Sequence, residues 1–132
     1  MTPRRLDTKS ISATEARGRR LVAEKYLDVA TLIDSEDGAA INVCVGVAVL
    51  AGIAAADAIC GAALGHRYSG SDHQAAADLL ERVDSALAKR LRDLVDLKGV
   101  SHYGYSILSS KDRKVALKSA AALVAEARLR LP

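Results

Sequence analysis

Apolar residues recur at helical spacing in four stretches, which predicts four helices and little strand. The first carries Val22, Tyr26, Val29 and Ile33, with Ala23, Leu27 and Ala30 beside them. Ser12-Ala-Thr-Glu15 opens it as a capping-box pattern, in which the Ser oxygen accepts an orphan backbone N–H and the Glu reaches back. Asp34-Ser-Glu-Asp-Gly38 breaks the pattern and ends the helix. The second stretch runs from about Ala39 to Gly65 and has no polar side chain between Asn42 and Asp57. A helix that is apolar all round is either buried or spans a membrane. The uninterrupted run of 14 residues falls short of the ~20 that a span needs. Ala48, Gly52 and Ala56 place a small residue every four positions, as a central helix with close neighbours requires.

The third stretch opens on Ser71-Asp-His-Gln74, a second capping box, and continues through Ala76, Leu80, Val83, Leu87, Leu91 and Leu94. That alternation by four and three is a seam for packing along a bundle. It predicts one helix from Ser71 to about Leu97, with Gly99 as its stop. The fourth helix begins near Ser109 or Ser110, with Ala116, Ala120, Leu123 and Ala127 in one row and Leu117, Ala121 and Val124 in the next. Four helices with short connections predict an all-α, antiparallel, up-and-down four-helix bundle over residues 12–132. Residues 1–11 read as a disordered basic tail.

Composition sharpens this picture. The 132 residues include no Phe, no Trp and one Met, so Ala, Leu and Val must fill the core and the helices must approach closely. Cys44 and Cys60 lie sixteen positions apart on one predicted helix, roughly 24 Å, too far for a disulfide. They read as buried thiols of a reducing compartment, and no Cys/His spacing calls for a structural metal. The N-terminal Met1-Thr-Pro-Arg-Arg5 leads into no apolar signal core, so the chain is expected to be cytoplasmic, with no membrane partner. Asp57, inside the apolar stretch, is expected to make a structural hydrogen bond. His66, Arg67 and His73, near helix ends, are read as structural.

Charge is uneven. Residues 98–132 hold seven basic side chains against Asp112 and Glu126, whereas residues 71–97 hold four basic and six acidic ones. Lys111, Arg113, Lys114 and Lys118 crowd the start of the last helix, against the helix dipole. The segment Lys98-Gly-Val-Ser-His102-Tyr103-Gly-Tyr105, read as a loop, gathers a lysine, a histidine and two tyrosines beside this basic surface. Histidine transfers protons near neutral pH, tyrosine stacks on bases, and lysine or arginine holds phosphate. The expected catalytic set is His102, Lys98 and Tyr105, with Arg113, Lys114 and Tyr103 holding RNA or phosphate, and no metal or cofactor. One histidine per site is meagre for metal-free RNA cleavage, so two copies pooling their sites would supply it better.

Three passages resemble the HEPN superfamily of α-helical domains: Ala54-Ala-Ala-Asp57 through Gly65-His-Arg-Tyr-Ser-Gly-Ser-Asp72-His73, Leu94-Val-Asp-Leu-Lys98 through His102-Tyr103, and Val115 through Arg128. The resemblance covers about residues 12–130. It implies a four-helix bundle that dimerises around a cleft, binds or cleaves RNA, and in several members acts as a toxin paired with a nucleotidyltransferase antitoxin. Active members carry Arg, four to six residues, then His. Here Lys98 stands in the Arg place, three residues separate it from His102, and Arg92 lies too far upstream. Lysine lacks the bidentate phosphate grip of arginine. The expected function is therefore a homodimeric domain binding RNA or a protein partner with weak or no ribonuclease activity. An active metal-independent endoribonuclease toxin and a purely structural interaction module are the alternatives.

Overall fold

The structure, a computed structural model, describes residues 5–103 and 106–132. It is 76% helical, with five helices and one small sheet among the described residues. In chain order these are β1 (Thr8–Ser10), α1 (Ala13–Leu32), α2 (Gly38–Leu64), β2 (His66–Tyr68), α3 (His73–Glu81), α4 (Ser85–Tyr103) and α5 (Ser110–Arg130). The all-α class is as expected.

The caps explain most of the boundaries. Ser12 and Glu15 close the expected capping box on α1. Ser109 and Asp112 close another on α5, so an acidic side chain meets the dipole end that the lysines oppose. α2 stops at Gly65, whose φ of 71° is left-handed and reserved in practice for glycine.

The expected third helix is two helices. Asp84 interrupts it: its Oδ1 accepts from the Leu87 N–H at 3.0 Å, and its carbonyl accepts from Ala88, so it is the N-cap of α4. The seam of Leu80, Val83, Leu87 and Leu91 keeps its spacing across the break, which hides the break from a periodicity reading. At the other end Gly99 is no stop. α4 continues through it to Tyr103, with Val100 packed against the core and the Ser101 hydroxyl bonded to the Lys98 carbonyl. The segment from Lys98 to Tyr103 is therefore helical.

Residues 8–10 are not a tail. β1 pairs antiparallel with β2, Thr8 with Tyr68, Lys9 with Arg67 and Ser10 with His66. Ile11 follows, its N–H on the Gly65 carbonyl and its side chain over Gly61.

α2 is the centre, packed by α1, α3, α4 and α5. By length and composition it could cross a membrane, but 72% of its most apolar window is buried within the protein. The face of α1 turned to α2 is the alanine row Ala16, Ala23 and Ala30, all fully buried. The helical spacing of Val22 and Val29 reads as a core-facing stripe, but both are exposed, as are Leu21 and Leu32. Close approach to α2 admits methyl groups on that face, which turns the larger side chains outward. The Cys44 thiol meets the Ala30 carbonyl at 3.3 Å across this contact.

Candidate functional site

Helical continuation to Tyr103 sets Lys98 and His102 one turn apart on the same face of α4. His102 rests on α2. Its Nε2 lies 3.3 Å from the Gly46 carbonyl oxygen, and a Cβ added at Gly46 would come within 3.1 Å of the ring. Glycine at 46 is what admits the imidazole. A carbonyl can only accept, so Nε2 is the donating nitrogen in this contact. The ring is anchored along one edge while the residue remains exposed.

A second histidine belongs to this group. His73 opens α3 directly after its N-cap, Asp72. Burial lowers its pKa first, and the positive charges of Lys98 and His102 lower it further against the opposing pull of Asp72. Its Nδ1 is buried without a hydrogen-bond partner. Gln74, on the same first turn, donates to Asp96 of α4 at 2.8 Å and ties the start of α3 to the end of α4. A second imidazole thus lies within electrostatic reach of Lys98 and His102, on the turn that Gln74 ties to α4. The signal lay in the Asp72–His73 cap, but which helix it would face depends on the break at Asp84.

The other expected residues lie elsewhere. Tyr105 and the side chain of Tyr103 fall outside the described residues. Arg113 is buried in a structural cluster: Nη2 lies 2.7 Å from Glu36 Oε1 and 3.1 Å from Ser110 Oγ, Nε lies 3.0 Å from Asp34 Oδ1, and Nη1 donates to the Ser35 carbonyl. Arg113 in turn holds the Glu36 carboxyl below the usual carboxylate range. This arginine fastens the α1–α2 connection to α5, and its guanidinium is committed to that structural cluster. Lys114 beside it is exposed. Arg92 is likewise engaged, forked between Glu81 at 2.8 Å and Asp78 at 3.1 Å, and clamps α3 to α4.

No protein-family model and no curated protein matches the chain. A neutral imidazole accepts a proton, a second imidazole donates one, and an ammonium offsets phosphate charge.

Other groups are less well equipped. Burial pushes both thiols up, Cys60 to about 12, so neither is a nucleophile near neutral pH. Among the described residues no cluster of His, Cys, Asp and Glu could hold a metal. Asp57 makes the expected structural pair, its Oδ2 3.2 Å from Arg19 Nε and 3.1 Å from Nη2. Burial raises its pKa and Arg19 opposes the rise. A cavity of about 580 Å³ opens over this pair, bordered by Glu15 and Arg67. Its two carboxylates and two guanidinium groups balance each other.

Proposed function

We propose that the chain is a cytoplasmic, HEPN-like domain of four-helix-bundle descent that acts as a homodimer and binds RNA through the face formed by Lys98, His102 and His73. Here α3 and α4 together stand for the bundle's third helix. The observation that carries the reading is the placement of Lys98 and His102 on one turn of α4, with His73 at the adjoining start of α3. A cation beside two polar, stackable rings suits a phosphate with its neighbouring base. Lys114 on the exposed side of α5 adds to the basic surface.

Fluorescence anisotropy with a labelled single-stranded RNA tests this. Affinity is expected to fall linearly with the logarithm of salt concentration. Lys98→Ala should weaken binding by about fivefold across sequences and flatten the salt slope by about one. A salt-independent signal, or one unchanged in Lys98→Ala, rules the RNA face out and leaves a protein-interaction module.

The pair of histidines favours a second reading, a metal-independent endoribonuclease of the toxin kind, paired with a nucleotidyltransferase-type antitoxin. His73, held towards its neutral form, is the base for the 2′-OH, and His102 is the acid for the leaving oxygen. Cleavage that survives EDTA and is lost in both His73→Ala and His102→Ala supports it. Intact RNA after prolonged incubation with the wild type rejects it.

A further inference from the structure

The outer face of α1 is apolar and uncovered in the single chain. Leu32 is 84% exposed, Leu21 52%, Val29 47% and Val22 39%. Val22, Lys25, Val29 and Leu32 follow alternating spacings of three and four, with Leu21 beside Val22, along one side of a 20-residue helix about 30 Å long. They lie opposite the buried alanine row, so α1 has two apolar faces: a small-residue one for its own core and a large-residue one turned outward. Leu21, Val22, Tyr26 and Val29 border a shallow groove of about 450 Å³ along this face. A monomeric protein rarely leaves such a stripe in water.

The charges along the stripe say what covers it. Lys25 and Asp28 are well exposed and 3.8 Å apart within the helix. Two copies of α1 packed in parallel would set Lys25 against Lys25 and Asp28 against Asp28. Packed antiparallel, about a two-fold axis between Tyr26 and Leu27, residue 25 of one copy faces residue 28 of the other, and residue 21 faces residue 32. Lys25 then meets Asp28 of the other copy and Leu21 meets Leu32, while Val22 and Val29, on the flanks of the contact, meet Thr31 and Glu24. A surface that complements itself under a two-fold rotation is what an isologous dimer requires.

We propose that this face is a homodimer interface in which α1 packs antiparallel on the α1 of a second copy. The proposal rests on the homodimer of the functional reading and adds its surface and its orientation. None of Lys98, His102 or His73 lies on α1, so the pairing leaves the RNA face of each copy open.

Sedimentation velocity on the full chain is expected to show a dimer, with Leu32→Asp at least about tenfold weaker in self-association. Lys25→Glu and Asp28→Lys should each weaken the dimer, and the double reversal should restore it. Oxidative cross-linking gives the orientation and does not depend on dimer strength. Leu21→Cys mixed with Leu32→Cys should form a disulfide-linked pair, while neither variant alone does so. Native Cys44 and Cys60 are buried and do not compete. Circular dichroism of each variant checks that α1 remains folded. A dimer indifferent to Leu32→Asp, or cross-linking of either cysteine variant with itself, overturns the α1 pairing while leaving the dimer reading in place. A monomer at 100-micromolar order concentrations, or a stripe covered by a different protein in a defined complex, overturns both. RNA anisotropy on the Leu32→Asp variant reads the functional proposal separately.

Discussion

Arg113 and Lys98 show how differently two cations of one basic segment are placed. Arg113 sits among Asp34, the Ser35 carbonyl, Glu36 and Ser110, and removing its guanidinium leaves two carboxylates facing each other at a helix junction. Arg113→Ala is therefore expected to lower the thermal midpoint clearly while leaving RNA affinity unchanged below that midpoint. Lys114→Ala should do the reverse, with no change in the midpoint and a modest loss of affinity. Differential scanning fluorimetry and anisotropy on the two variants separate these outcomes. His73 makes a pH prediction. Its folded pKa lies below the ordinary 6.5, so between the two values the unfolded chain binds the extra proton. Its contribution to stability is therefore complete above about pH 6.5 and is lost as pH falls through that value towards the folded pKa. Urea midpoints measured from pH 7.5 to 5 should decline, and His73→Gln should flatten the decline. An unchanged slope would falsify the lowered pKa of this half-buried ring.

The elements show which residues carry a legible signal. The starts of α1 and α5 and the end of α2 were readable because a cap is local chemistry, with donor and acceptor three residues apart or a glycine at the turn. Asp84 is also a cap, yet the unbroken seam of leucines and valines on either side outweighed it. Gly99 misled in the opposite direction, since glycine marks a helix end only where the backbone turns left-handed, as at Gly65 and not at 99. β1 left no local trace because its three residues are ordered by β2, more than fifty positions away. The buried face of α1 was misjudged because periodicity weighs side-chain size, whereas packing against α2 depends on approach distance. His73 escaped for the same non-local reason. Two glycines make this testable. A Cβ at Gly52 would lie 2.3 Å from Leu94 Cδ1 and 3.4 Å from Leu123 Cδ1 in the core, whereas one at Gly99 would meet nothing within 4 Å. Gly52→Val should cost about 1–3 kcal/mol by overpacking. Gly99→Ala should stabilise α4 by about 0.5–1 kcal/mol through helix propensity. Chemical denaturation of both variants gives the two signs.

At the scale of the whole molecule, if the proposed RNA binding and dimer both hold, the position of the site relative to the dimer decides how many RNA molecules are held. α2 stands at the centre, with α1 on it through the alanine row and α4 on it through Gly46 and His102. The outer face of α1 points away from α2, so pairing through α1 joins the copies without bringing their α4 ends into one cleft. On the proposed reading each copy would carry its own Lys98, His102 and His73, and a second histidine per chain would remove the need to pool two chains. The dimer should accordingly bind two short RNAs independently, one per copy, with a single affinity and no cooperativity. The monomeric Leu32→Asp variant should bind with the same affinity per chain. Isothermal titration with an oligonucleotide of about eight nucleotides reads both the stoichiometry and the affinity, since a single site covers roughly 4–16 nucleotides in comparable grooves. One RNA per dimer, together with loss of binding in Leu32→Asp, would mean that the copies meet around the histidines and build the site jointly. The basic face of α4 would then have to be the interface and the apolar stripe of α1 would need another occupant.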